Sequence, residues 1–331
     1  MTGTVRIARC SRTRTGTITG MSTAGVQSAI ETQRHWSAVA GKVKQRIRRG
    51  RRVTLGLGVA GTVLVTAAGQ VEGSAGRVLA ALATAALASA PIVAGSFVSP
   101  NHTKTWTQLR SVSEGLKAEI YTYLAGVDPY QGPQDERDRR LLERSEAIQQ
   151  AADILPPAAP ISGTSSSSRP WPEIDSLDSY VTHRVDDQID YYEPQAAVAE
   201  RRTARFQWAG LVASLAAAVL SAVEAATGSA TITAWAPAIT MVGASVGSFA
   251  AASRYEDNAR AYKQTAHRLR FLRDQWQLSA PANASSAERA RRDMAFVAGC
   301  EEAIAVENQA WMARWNADIP ATPASPAGQP A

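Results

Sequence analysis

Apolar positions along the chain fall into two blocks, roughly 51–99 and 206–252, and the sequence between and around them is polar and charged. In the first block, residues 53–70 carry no charge. A short tip with Glu72 and Arg77 follows, and residues 78–98 are again uncharged until Pro100-Asn101 closes the run. The second block repeats the plan, with uncharged segments at 206–223 and 230–253 around a tip at 224–229. Each segment approaches the roughly 20 residues that an α-helix needs to cross a bilayer core. None shows the polar face that a surface helix carries at 3.6-residue spacing. The pattern predicts an all-α, integral membrane protein with two tandem two-helix hairpins and long polar helices on one side.

The polar sequence divides the rest. Residues 1–23 read as a disordered tail. Their Thr, Ser and Arg content loosely resembles a transit peptide, and Met21 is an alternative start. Residues 24–126 make the first hairpin unit: a helix that grows basic toward Arg51-Arg52, the two crossings, and an amphipathic helix from about Thr103 to Leu124. Residues 127–174 hold a charged helix and a Pro/Ser-rich linker with Ser165–Ser168 inside it. Residues 175–316 form the second unit with a C-terminal helix from about Ser286, and 317–331 read as a disordered tail. The halves correspond in detail. Arg51-Arg52 matches Arg201-Arg202, Glu72 matches Glu224, and Gly95-Ser96-Phe97 matches Gly247-Ser248-Phe249. Gln33 and Trp36 stand where Gln188 and Tyr191 stand in the second copy, so the plan is that of an old duplication.

Composition sharpens this picture. The 331 residues are 45% hydrophobic with a formal charge of +6, but Ala and Gly dominate the apolar blocks, which leaves an Ala-rich soluble helical hairpin as the alternative. Charge placement favours the membrane: Lys and Arg collect on the outer flanks and the middle segment, and the tips carry little basic charge. Both termini are therefore expected in the cytoplasm of a multi-pass protein of the cell membrane. Small residues at four-residue spacing, Gly243 and Gly247, and Ala86, Ala90 and Ala94, suit close helix packing in lipid. Pro91 and Pro237 are expected to kink the second and fourth crossings.

Little in the chain reads as catalytic chemistry. Gly56-Leu57-Gly58-Val59-Ala60-Gly61 matches G-x-G-x-x-G, but it lies inside an apolar crossing, so these glycines are expected to pack helices rather than hold a dinucleotide. Cys10, Cys300 and the four histidines show no ligand spacing. No enzyme activity, cofactor or metal is expected. Anionic headgroups account for the basic flanks, so no nucleic-acid partner is expected either.

The sharper constellation is Tyr180, Arg184, Gln188, Tyr191 and Tyr192. Tyr180, Arg184 and Gln188 share a face at i, i+4 and i+8, and an Arg and a Gln on an aromatic stripe need polar partners. The C-terminal stripe Phe296, Cys300, Ile304, Glu307, Trp311 and Trp315 offers one, with Glu307 as the expected counter-charge for Arg184. Arg184, Gln188, Tyr191 and Tyr192 before a two-helix hairpin, with Glu307 and Trp311 after it, resemble the SLATT domains, the SMODS and SLOG-associating two-transmembrane effectors. The duplicated plan resembles members with two such units in tandem, although the first half lacks the upstream Arg and the paired aromatics.

The resemblance implies a membrane effector of a bacterial conflict system that oligomerises and perforates or depolarises the membrane, prompted by a nucleotide-signalling partner protein. Arg184, Gln188, Tyr191, Tyr192, Glu307 and Trp311 are its candidate interaction or gating residues. Thr54, Thr62, Thr66, Ser214 and Ser221 are candidates for a pore lining. A non-conducting scaffold that recruits a partner is the alternative. A transporter would need an ionisable residue inside the crossings, and none lies there.

Overall fold

The computed structural model describes residues 24–152, 171–228, 234–279 and 285–316, with the side chains of 307–316 and Ala252 left undescribed. The tails and most of the Pro/Ser-rich linker therefore lie outside the described residues.

Helix α1 (Ala24–Ala68) is continuous, so the basic polar helix and the first apolar segment are one rod. Its first half has a regular inward stripe: Val26, Ala29, Ile30, Gln33, Trp36, Ala40 and Ile47 are all buried. A turn at Gly69–Glu72 reverses the chain into α2 (Gly73–Phe97), which begins earlier than the charge pattern suggested and includes Arg77. Ser99 then caps α3 (Pro100–Leu124), accepting from the His102 backbone N–H, with Pro100 at the first helical position where its missing N–H costs nothing. Trp106, Leu109, Leu116, Ile120 and Tyr123 of α3 are all buried, as their amphipathic spacing predicts. Helix α4 (Gln134–Gln150) follows, with Asp135 and Glu136 in its first turn.

The second half starts with α5 (Leu177–Tyr180), held by reciprocal Ser176–Ser179 capping, and passes through a π turn (Val181–Asp186) into α6 (Asp187–Thr227). Gly228, in the left-handed region at φ 68°, ends α6. Helix α7 (Trp235–Ser253) leads through Arg254, also left-handed at φ 49°, into α8 (Tyr255–Leu278), and α9 (Ser286–Asn316) completes the described chain.

Helix α1 lies along α2, α6 along α7, and α1 also meets α7, so the apolar ends of the halves touch. The polar ends pack as α1 with α3 and α4, and α6 with α8, while α9 packs on α8 and crosses to α3. Three hydrophobic cores fill this polar head. Two belong to the first half, one around Ile30, Tyr123, Tyr130 and Leu141, the other around Trp36, Trp106, Val112 and Leu116. The third joins Tyr180, Val185, Leu269, Val297 and Cys300 of the second half to Tyr121 of α3. Ion pairs Glu200–Lys263 and Glu193–Arg270 line the α6–α8 seam, and Asp186–Arg273 ties the π turn to α8. Exposed pairs of this kind contribute about 0–1 kcal/mol each, so they set register more than stability.

The apolar ends are different. Ile92, Trp208 and Leu215 are 68%, 66% and 64% exposed, and Val78, Leu82, Leu211, Val212 and Met241 are exposed with them. Three helical runs, Gly73–Leu124, Leu177–Thr227 and Trp235–Leu278, are long and apolar enough to cross a membrane. The segment 53–70 is not among them: α1 stops at Ala68, so its uncharged run spans roughly 24 Å at 1.5 Å per residue, short of a ~30 Å hydrocarbon core.

Two expectations about prolines and glycines change. Pro91 does lie within α2, but Pro237 sits in the first turn of α7, where no N–H is needed, so it is not a mid-helix kink. A Cβ on Gly61 would come within 2.6 Å of Leu87 Cγ, whereas Gly56 and Gly58 have open space around them. Only the last glycine of the G-x-G-x-x-G match therefore packs against a neighbouring helix.

Candidate functional site

The most constrained polar group in the head is Arg184, 1% exposed. Its π turn places it opposite Glu301 of α9. Nε donates to Oε1 at 2.9 Å and Nη2 to Oε2 at 2.6 Å, a two-point fork that fixes the geometry of both side chains. The Tyr180 hydroxyl donates to the same Glu301 Oε1 at 2.9 Å. The guanidinium lies over the Tyr121 ring, 4.3 Å from its centroid, so a first-half aromatic covers a second-half ion pair. Arg184 Nη1 is buried with no hydrogen-bond partner among the described residues.

Electrostatics follow from this packing. Burial opposes the Arg184 charge, but the Glu301 carboxylate and its hydrogen bonds outweigh burial and raise the guanidinium pKa. Burial, then Glu301, push the Tyr180 phenol well above its ordinary range. Burial first, with Glu301 next, pushes the neighbouring Cys300 thiol up from 9.0 to about 12. The thiol is therefore kept neutral in the fold, and this contribution to stability is complete below pH 9 and disappears as pH rises toward 12. A Cys10→Ser protein should accordingly react with maleimide at Cys300 more than about tenfold slower when native than when denatured at pH 8. Equal rates would mean that the core around Cys300 is open.

The residues singled out from sequence are only partly brought together. Arg184 is in the core, and its counter-charge among the described residues is Glu301. The C-terminal stripe was traced through 300, 304 and 307, whereas its neighbouring row, 297, 301 and 304, faces Arg184. The side chains of Glu307 and Trp311 lie outside the described residues. Gln188 is half-buried, and Ile189 takes the inward place, because the wider π turn advances the register by one residue. Tyr192 is buried, whereas Tyr191 is 51% exposed, with Tyr262 packed against both rings. Gly243 faces Ala213 of α6, where a Cβ would approach to 3.1 Å, whereas Gly247 has open space. Ala86, Ala90 and Ala94 are half-buried beyond the fully buried Ala83. Sequence reading missed Glu301, Tyr121 and Lys117. Tyr121 and Lys117 come from α3, whose approach to the second half no local pattern announces.

Gln188, Tyr191 and Tyr192 also edge a cavity of about 820 Å³ between the halves, where the apolar and polar ends of the helices meet. Among the described residues, no group of three or more His, Cys, Asp or Glu side chains is arranged to hold a metal ion.

Residues 34–138 match the model of a protein family of unknown function, DUF4231, which spans α1 from Arg34 through α2 and α3 into α4. No curated protein and no solved structure matches the chain. Residues 180–311 match the model of the SMODS and SLOG-associating two-transmembrane effector domain 1, from Tyr180 to Trp311. The two halves match different models, which narrows the tandem expectation to a shared order of elements. Residues 180–311, which hold the Arg184–Glu301 pair and the apolar α6–α7 hairpin, are thus the part of this chain that is similar to the SLATT domains.

Proposed function

We propose that the protein is a membrane effector of a bacterial conflict system whose two helical hairpins insert together, with both termini and the polar head in the cytoplasm, and permeabilise the membrane when several copies assemble. The observation that carries this is the contrast between the two ends of the molecule. The head buries three cores, while large side chains such as Trp208, Leu211, Leu215 and Ile92 stand uncovered along α2 and α6. At roughly 25 cal/mol per Å² of apolar surface, leaving such a band in water is far costlier than placing it in lipid. The shorter apolar run of α1 completes its crossing by snorkelling Arg51 and Arg52 to the headgroups. In this reading the protein is not an enzyme, and a nucleotide-signalling partner supplies the trigger to the head.

A non-conducting scaffold is the second reading, and one feature favours it. The Thr62 and Thr66 hydroxyls, candidates for a polar pore lining, donate back to Gly58 and Thr62 carbonyls of their own helix at 2.9 and 3.1 Å. The two readings separate cleanly. Membranes from cells expressing the chain are washed at alkaline pH, and the purified protein is crosslinked into oligomers in dye-loaded vesicles. Retention with dye release supports the effector; retention with intact vesicles supports the scaffold. Release from the membrane by the wash removes both.

A further inference from the structure

The cavity between the halves has a lining that helix packing does not require. Seven cationic side chains face it: Lys44, Arg48, Arg51 and Arg52 from α1, Arg110 and Lys117 from α3, and Arg202 from α6. The single carboxylate among the lining residues, Glu114, is already tied to Arg110 at 2.7 Å. Trp106, Tyr192 and Tyr262 supply aromatic wall, with the Lys44 ammonium 5.5 Å from the Trp106 ring centroid. At about 820 Å³ it is in the size range, roughly 300–1,000 Å³, of pockets that enclose a small organic ligand.

Both halves contribute matching positions. Gln33 and Gln188 both line the cavity, as do Arg52 and Arg202. Counted from the Gly-Ser-Phe that ends each apolar hairpin, Trp106 corresponds to Asn258 and Arg110 to Tyr262, and all four line it too. The cavity thus lies where the two related halves face each other, and it exists only while they are joined. So many like charges around one space repel one another, and a bound anion removes that cost. Burial, followed by the nearby Arg184 charge, lowers the Lys117 pKa, as expected of an ammonium that lacks enough negative charge around it.

We propose that this cavity binds a phosphate-bearing ligand, its phosphates held by Lys117, Arg110, Arg52 and Arg202 at the junction of the two halves. Phosphate suits the lining better than carboxylate, because several guanidinium forks converge on one space and each can engage two phosphate oxygens. The phosphate comes either from a soluble nucleotide, whose base would stack on the aromatic wall, or from the headgroup of an anionic lipid, since Arg51 and Arg52 directly precede the apolar run of α1. The proposal stands whether or not the hairpins conduct.

The test uses the full chain in two kinds of nanodisc, one of phosphatidylcholine alone and one with phosphatidylglycerol added. Labelled ATP binding is measured by equilibrium dialysis at low salt, and thermal stability is followed in both lipids. Saturable ATP binding in phosphatidylcholine, weakened about tenfold or more by Lys117→Gln and by Arg52→Gln with Arg202→Gln but unchanged by Arg201→Gln, assigns a soluble ligand. Stabilisation by phosphatidylglycerol, lost in those variants while ATP does not bind, assigns a headgroup. The rim pair Arg52 and Arg202 keeps the test valid if Lys117→Gln misfolds. Absence of both effects overturns the proposal, as does binding that the cavity variants leave unchanged.

Discussion

Glu301→Ala is expected to destabilise the head by about 3–5 kcal/mol, read as a lowered denaturation midpoint in detergent, because it strands a buried guanidinium. The Arg184 side chain is 1% exposed and has one nitrogen with no partner among the described residues, so water has little access to replace the lost carboxylate. Arg184→Met should cost a comparable amount, since among the described residues Glu301 would then keep only the Tyr180 hydroxyl. The double variant Arg184→Met with Glu301→Leu removes both charges and refills the space. It should recover most of the loss, leaving a coupling energy of several kcal/mol in the cycle. Additive losses in the double variant would mean that the fork contributes nothing as a pair. The pair is thus less a source of stability than a way to hold α9, α5 and α3 in one arrangement, because only that arrangement neutralises the buried charge.

The second large effect is expected at the turn between α1 and α2. A Cβ on Gly76 would lie 2.0 Å from the Val71 carbonyl oxygen and 3.2 Å from that of Ala68, both backbone atoms that no rotamer change can move. Gly76→Ala should therefore open the turn and cost about 3 kcal/mol. Gly56→Ala, which meets nothing, should be neutral or slightly stabilising through helix propensity. Proteolysis at the turn in detergent distinguishes them: Gly76→Ala is cut faster, and Gly56→Ala is cut like the parent. Equal cutting would show that α1 and α2 do not approach as closely as described.

How far sequence carries depends on whether a residue's environment is set locally. The buried stripe of α3 was readable, because Trp106, Leu109, Leu116 and Ile120 follow helical spacing and every one is buried. The span of α9 was readable for the same reason. The inward position of Arg184 was readable as an arginine among aromatics, but its partner was not. Finding Glu301 requires the azimuth of α9 against a π turn, and that turn has no periodic signature. The cationic cavity was hidden for a different reason. Its flank residues Arg51, Arg52 and Arg202 were read as headgroup anchors, and their convergence with Arg110 and Lys117 depends on how α1, α3 and α6 are placed in space. Likewise, one acceptable explanation for Gly56, Gly58 and Gly61 together concealed that only one of them touches a neighbouring helix.

Helix α1 runs unbroken for 45 residues from the head to the turn, whereas α7 and α8 are separated by the left-handed Arg254. At 1.5 Å per residue α1 is a strut of roughly 68 Å. A tilt of its Trp36 end by even a few degrees displaces its Ala68 end by several ångströms, with no soft joint along the way to absorb it. The second half has such a joint at Arg254, where α7 can swing while α8 stays docked. The first half thus transmits motion as a lever and the second accommodates it as a knuckle, although the two share the same order of elements.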